Sequence, residues 1–342
     1  MSMDVESFFL SSEAWALRKQ ILASGYLQHF RSGNPSEKEI YCVDTFEYQR
    51  GNRVRRTASM PSALRSSASI GGVKLIKVAT RNIVSDIKDG SEDLPSGAVA
   101  TMNGKLEEIF PRILSIIGNK PALFFIDPSG SPGLSFNALK AILRRKQQHT
   151  EIIIKFDAEV IWKRALELCL KECGHTNRCT GVLRQLARIL GLEKLQSVAS
   201  AGPAAALVEN YKLQISSFGF TSVAHCLRDA VGLRSSSYLI YCTRQPRNVV
   251  VLNDLVRSAE DRLLLEFLKG QEVVHTDNAL ETDIFLRRQE LKHLMMDLEK
   301  GSEGVNLTDK QWRTLCERFG KFHQNDFAIE LSAEPNINQK LI

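Results

Sequence analysis

Two aspartates stand where chemistry at the edge of a sheet would need them. Asp127 ends the apolar run Ala122-Leu-Phe-Phe-Ile126 and opens Asp127-Pro128-Ser129-Gly130. Pro128 restricts the backbone after the carboxylate and removes a donor, and Gly130 permits an unusual turn. A carboxylate and a carbonyl held rigidly at that point accept hydrogen bonds from an amino group. The same four residues also suit a tight turn that caps the helix after them. Asp44 closes a second short apolar run, Glu39-Ile-Tyr-Cys-Val-Asp44.

Other groupings are weaker. Cys169, Cys173, His175 and Cys179 offer thiolates and an imidazole, ligands that suit zinc. Their Cys-x3-Cys-x-His-x3-Cys spacing is not a standard zinc pattern, and Cys169 and Cys173 equally fit one helical face as small hydrophobes. No metal site is assigned to them. Ser129-Gly130-Ser131 does not match the nucleophile elbow Gly-x-Ser-x-Gly. Glu151-Ile-Ile-Ile-Lys155 does not match the Glu-x-Lys of a metal-dependent nuclease, and there is no Gly-x4-Gly-Lys-Ser/Thr phosphate loop. Arg144-Arg-Lys146 closes an expected helix, where basic residues complement the helix dipole without any ligand.

Charge is unevenly spread. The 342 residues carry a net charge of +6. Between Tyr48 and Ser85 there is no acidic residue, and Arg50, Arg53, Arg55, Arg56, Arg65, Lys74, Lys77 and Arg81 supply eight positive charges. The remaining chain therefore sums to −2. A compact positive segment suits a polyanion, because neutralised phosphates release their counterions. It equally suits a solvated loop. Arg50, Arg53, Arg55, Arg56, Arg65 and Lys74 are the candidate nucleic-acid contacts.

Elements must position these groups. With 43% hydrophobic and 25% charged residues the composition is globular, which excludes fibrous architecture and wholesale disorder. No apolar run approaches the roughly 20 residues of a membrane span, and no signal peptide is visible. Seven cysteines, an odd number, suit a reducing cytoplasm better than a disulfide scaffold. Helices are expected over 7–30, 106–117, 135–146, 158–173, 178–200, 222–232, 249–268, 283–299 and 308–319. Strands are expected over 39–44, 98–102, 122–126, 151–156, 212–218 and 238–243, with 73–87 undecided between strand and helix. A long Arg-, Ser- and Gly-rich loop fills 47–72. This alternation predicts an α/β fold with a largely parallel sheet flanked by helices. Ligands of such sheets bind beyond the carboxyl ends of the strands, and both Asp44 and Asp127 fall there. An α/β domain over 1–255 and a helical, winged-helix-like part over 256–342 are expected, with Trp312 as a core anchor of the latter.

The order of segments resembles the three-Cys-motif partner protein family, TcmP. Lys19-Gln-Ile-Leu-Ala-Ser-Gly-Tyr-Leu27 is similar to the family's early helix. Tyr41-Cys-Val-Asp44-Thr-Phe46 is similar to the start of its Tyr-Val-Asp-Leu-Phe-Ala-Gly-Pro-Gly strand motif, and Gly71-Gly72-Val73 to the place of its Gly-Ser. Leu123-Phe-Phe-Ile-Asp127-Pro128-Ser129-Gly130 resembles Phe-Ile-Asp-Pro-Phe-Gly. Glu151–Phe156 with Ile161-Trp-Lys-Arg164 resembles the next strand and helix, and Tyr238-Leu-Ile-Tyr-Cys-Thr243 the Tyr-Leu-Ile-Phe-Ala-Thr strand. The likeness spans roughly residues 15–255.

That resemblance implies a Rossmann-like, class I methyltransferase-like domain. It also implies a protein partner and a role near nucleic-acid modification or phage defence. Catalytic positions would be Asp127, Pro128 and Ser129, and S-adenosylmethionine would lie against Asp44, Phe46 and Gly51. The chain departs from the pattern where the cofactor is held. Asp44-Thr-Phe46 is followed by Glu47, Tyr48, Gln49 and Arg50, and the first glycine is Gly51. Ser129 also replaces the aromatic residue that stacks on a flipped base. The expectation is a methyltransferase-fold module without chemistry that binds nucleic acid or a protein. An active S-adenosylmethionine-dependent nucleic-acid methyltransferase and a purely structural subunit are the alternatives.

Overall fold

The computed structural model describes residues 12–46, 72–79, 99–103, 106–127, 136–173, 186–187, 203–227, 237–270, 284–294, 307–324 and 326. Most of the basic loop, Pro128, Ser129, the His175 and Cys179 end of the cysteine grouping and most of 178–200 lie outside these residues. Gly51, Arg50, Arg53, Arg55, Arg56 and Arg65 also lie outside the described residues.

Helix α1 (Ser12–Ser32) precedes strands β1 (Ile40–Phe46), β2 (Val73–Ala79) and β3 (Val99–Asn103). Then come α2 (Leu106–Ile117), β4 (Ala122–Ile126), α3 (Phe136–Leu143), β5 (Thr150–Asp157) and α4 (Ala158–Cys173). Helix α5 (Pro203–Ser216), β6 (Thr221–Cys226), β7 (Ser237–Thr243) and α6 (Arg247–Gly270) follow. Residues 284–294 form α7, and α8 is Leu307–Glu317. One seven-stranded sheet has the order β3-β2-β1-β4-β5-β7-β6. The pairs from β3 to β5 are parallel, and β7 runs antiparallel to both β5 and β6. The chain is therefore an α/β protein with a mixed, mostly parallel sheet flanked by helices.

Period-two alternation sends successive strand residues to opposite faces. Val43, Phe124, Ile126, Ile152, Ile154 and Ile240 pack on one side against α2, α3, α4 and α5. Cys42, Leu123, Phe125, Ile153, Leu239 and Tyr241 pack on the other against α1, α6 and the segments around Leu291, Leu315 and Phe319. Strand β4 is buried throughout, which explains its unbroken Ala-Leu-Phe-Phe-Ile run. Trp312 packs at the border of the second core, as a helical anchor should. Residue 255, the expected domain boundary, lies inside α6, and the segments beyond it share that core with the sheet.

Two expected elements are corrected. Residues 212–218 are not a strand: α5 runs to Ser216. Leu213 and Ile215 imitate strand alternation, but Leu207, Val208, Tyr211 and Ile215 bury one helical face while Leu213 stays 54% exposed. The helix stops at Gly219, whose φ of +80° suits glycine. Residues 222–226 are then not helical but lie in β6, where Val223 and His225 alternate inward. In addition, α3 ends at Leu143, three residues before the expected Lys146. The undecided stretch at 73 is a strand as far as Ala79.

Candidate functional site

The strand order reverses between β1 and β4, the point at which an open α/β sheet leaves a crevice beyond its carboxyl ends. Asp44 pairs in register with Phe125 of β4, so Asp127 lies two residues further along at the same edge. The structure thus brings the two aspartates together. Both are buried, Asp44 at 2% exposure and Asp127 at 7%. The Asp127 N–H donates to Thr45 Oγ1 at 2.9 Å, which ties the end of β4 to β1.

Both carboxylates are engaged by helix α1. Lys19 Nζ lies 2.5 Å from Asp44 Oδ1. Trp15 Nε1 donates to Asp127 Oδ2 at 2.5 Å. One turn of helix places the two side chains on the same face. Burial pushes the Asp44 carboxyl above the usual carboxylate range, and the Lys19 ammonium offsets only part of that. Burial also works against the Lys19 charge, but the carboxylates of Asp44 and then Asp127 outweigh it and hold its pKa above the ordinary lysine value. One ammonium therefore serves two carboxylates. Lys77, in register with Asp44 on β2, adds a second positive field.

The cluster continues to β5 and β7. Lys155 Nζ lies 5.4 Å above the centroid of the Trp15 ring. It also approaches Asp157 Oδ2 at 3.5 Å, and Ser237 Oγ donates to Asp157 Oδ1 at 2.6 Å. The indole of Trp15 thus bridges the ends of β4 and β5. Nothing in its own sequence surroundings announces this, because the partners stand more than a hundred residues away. Lys155 had only its place at the end of a strand as a signal.

Lys74 is separated from this edge. It sits at the start of β2, beside Tyr41, and so at the amino ends of the strands. Its Nζ contacts Glu39 Oε1 at 2.8 Å and lies 5.9 Å from the Tyr41 ring centroid. The glycine before β2 is structural: Gly72 has φ +84°, and a Cβ there would meet the Lys38 carbonyl oxygen at 2.5 Å. Phe46 ends β1, at the carboxyl edge with Asp44.

A third buried carboxyl lies apart from these, at the amino end of β5. Glu151 accepts from Tyr26, from Tyr241 at 3.0 Å, from Asn248 at 2.6 Å and from Thr243 at 3.3 Å. Burial raises its pKa, and these donors oppose the rise. It is fully enclosed and closes the core rather than lining the crevice. Among the described residues, no group of three or more His, Cys, Asp and Glu side chains is arranged to hold a metal ion. No protein-family model matches the chain, and no curated protein matches it.

The donor set tests the fit of S-adenosylmethionine. A cofactor amino group at β1 would need the Asp44 carboxylate, which Lys19 already holds. A substrate amine at Asp127 would need the carboxylate oxygen that accepts from Trp15. The residues present do not fit the group while α1 stays seated. The arrangement occupies its own acids, Asp44 with an ammonium and Asp127 with an indole N–H.

Proposed function

We propose that the chain is a catalytically silent module on a methyltransferase-type sheet, akin to the three-Cys-motif partner proteins, that binds nucleic acid or a protein partner. One observation carries the reading. The two carboxylates that would face cofactor and substrate are taken by Lys19 and Trp15 of the chain's own helix. The strand order, with β7 reversed between β5 and β6, supports the methyltransferase-type and Rossmann-like part, since class I methyltransferases are built on this order. The replaced glycines after Asp44 support the loss of cofactor. The eight positive charges between Tyr48 and Ser85 support a polyanion partner. A role beside nucleic-acid modification or phage defence follows from the family likeness alone. Free thiols at Cys42, Cys242 and Cys316 suit a cytoplasmic setting, and no described helix is long and apolar enough to cross a membrane.

Isothermal titration with S-adenosylmethionine tests this reading. The expected result is no heat of binding. Micromolar binding that disappears in Asp44→Ala would overturn the silent module. It would favour the second reading, an active methyltransferase acting on nucleic acid, for which the adjacency of Asp44 and Asp127 at the crevice speaks. In that reading Asp127 accepts from the amine to be methylated, and α1 withdraws Trp15 before the substrate enters.

A further inference from the structure

The opposite edge of the sheet carries a row of basic side chains drawn from five separated segments. Arg144, Arg145 and Lys146 follow α3, Arg244 and Arg247 follow β7, and Lys120 precedes β4. Lys74 opens β2, and Arg31 and Lys38 lie between the end of α1 and β1. Among the described residues of this edge, Glu37 and Glu39 stand against these nine at the surface, with Glu151 wholly enclosed. Contacts run from one end of the row to the other. Glu39 touches Lys74 and Lys120, at 2.8 and 3.9 Å. Arg145 donates to the Lys120 and Gly118 carbonyls, and Arg244 to those of Gln147 and Leu143. Arg247 donates to Gln245, whose amide meets His149.

Arg144-Arg-Lys146 do follow the carboxyl end of α3, where the helix dipole favours them. The Leu143 carbonyl at the end of α3 is held by Arg244, while Arg145 reaches away to the turn before β4. Carbonyl oxygens fix both guanidiniums without cancelling their charge. Burial, and then the neighbouring Arg244, lower the Arg145 pKa to about 10, so two like charges are kept close together. At one end of the row a cavity of about 340 Å³ is lined by His29, Asn34, His149, Gln245, Arg247 and Asn248. Amides, imidazoles and a guanidinium supply its polar groups, and Phe30, Ser32 and Gly33 complete the wall.

We propose that this amino edge is a nucleic-acid surface: the row contacts consecutive phosphates, and the cavity receives one sugar-phosphate unit. The inference rests on the nucleic-acid part of the function proposed above and adds a surface distinct from the 47–72 loop. From β2 across β1, β4 and β5 to β7 the row spans four strand gaps, about 19 Å at ~4.8 Å each. Measured along a duplex axis, that length corresponds to about six base steps at ~3.4 Å each. A membrane-docking face would add exposed apolar side chains. Among the described residues the exposed large ones, such as Val160, Leu213 and Phe285, belong to α4, α5 and α7 and not to this row.

Fluorescence anisotropy with labelled single-stranded DNA, duplex DNA and RNA of equal length, over a salt series, tests the proposal. The triple variant Arg144→Ala, Lys146→Ala, Arg247→Ala removes three exposed side chains that hold no core in place. It should bind at least tenfold more weakly, with an unchanged thermal midpoint and a salt slope smaller by about 2–3. The arm bound most tightly identifies the nucleic acid. If this variant binds like the parent while Arg53→Ala, Arg55→Ala, Arg56→Ala abolishes binding, the amino-edge surface is overturned and the proposed function stands. Absence of binding to all three nucleic acids, or binding only to phosphatidylserine vesicles, overturns the surface together with the nucleic-acid part of the proposed function. Should the triple variant unfold, lysine acylation of the parent decides the matter. Bound nucleic acid should protect Lys120 and Lys146, and equal labelling with and without it overturns the surface.

Discussion

At the residue scale, the buried Lys19–Asp44 pair decides how the crevice behaves. Each charge was taken from water, and its partner returns only part of that cost. Lys19→Met leaves Asp44 enclosed beside Asp127 without its paired ammonium, with only the field of Lys77 remaining, and should destabilise the protein by about 3–5 kcal/mol. Adding Asp44→Asn should recover more than half of that loss, because the uncompensated charge is then gone. Urea midpoints of the two variants check this, and a double variant no more stable than Lys19→Met would contradict it. Glu151 makes a second case. Both of its oxygens accept hydrogen bonds, so Glu151→Gln turns one acceptor into a donor that faces Asn248 or the tyrosines. The expected loss is about 2 kcal/mol, read from the same midpoints. Asp44 and Asp127 were legible in the sequence because each closes an apolar run. Their partners were not, since Trp15 and Lys19 lie on a helix whose own neighbourhood carries no trace of the sheet.

At the element scale, strands β1, β4, β5 and β7 and helices α2, α4 and α6 were legible from apolar runs and periodicity. The stretch 212–226 was not, because Leu213 and Ile215 satisfy a period of two by accident, while the buried face of α5 needed Leu207 and Val208 to be counted with them. The final approach to the sheet was equally hidden. Past α8 the chain turns at Gly320, with φ +78°, and its N–H donates to Asn253 Oδ1 at 2.8 Å. A Cβ there would lie 2.5 Å from Val256 Cγ1 and 2.6 Å from the His225 Nδ1. Left-handed backbone costs an L-residue about 1–2 kcal/mol, and overpacking adds about 1–3 kcal/mol. Gly320→Ala should therefore cost roughly 3 kcal/mol by thermal or urea unfolding. A loss below about 1 kcal/mol would mean that the turn relaxes without cost.

Across the whole molecule, helices α1 and α6 and strand β6 are joined by charges that the fold has enclosed, and these set its response to acid. Arg18 reaches Glu260 at 2.6 and 2.9 Å, and His225 lies 3.6 Å from the same carboxylate. Burial would raise the Glu260 pKa, but Arg18 and then His225 overcome it and hold the group at about 2, below its ordinary 4.5. Burial likewise opposes Asp261, yet His323, Arg257 and Arg287 hold it at about 2 against 3.8. Both folded-state values lie below the unfolded ones, so folding favours the ionised forms. Their stabilisation is complete above about pH 5 and is lost as pH falls through 4 toward 2. From the Glu260 displacement the loss is on the order of 3 kcal/mol. The urea midpoint of the parent should therefore drop steeply between pH 5 and pH 2. Glu260→Gln should start lower at pH 7, because Arg18 is then buried without its anion, and should fall less over that window. A variant whose midpoint falls as steeply as the parent's would show that the acid response arises elsewhere than in the junction of α1, α6 and β6.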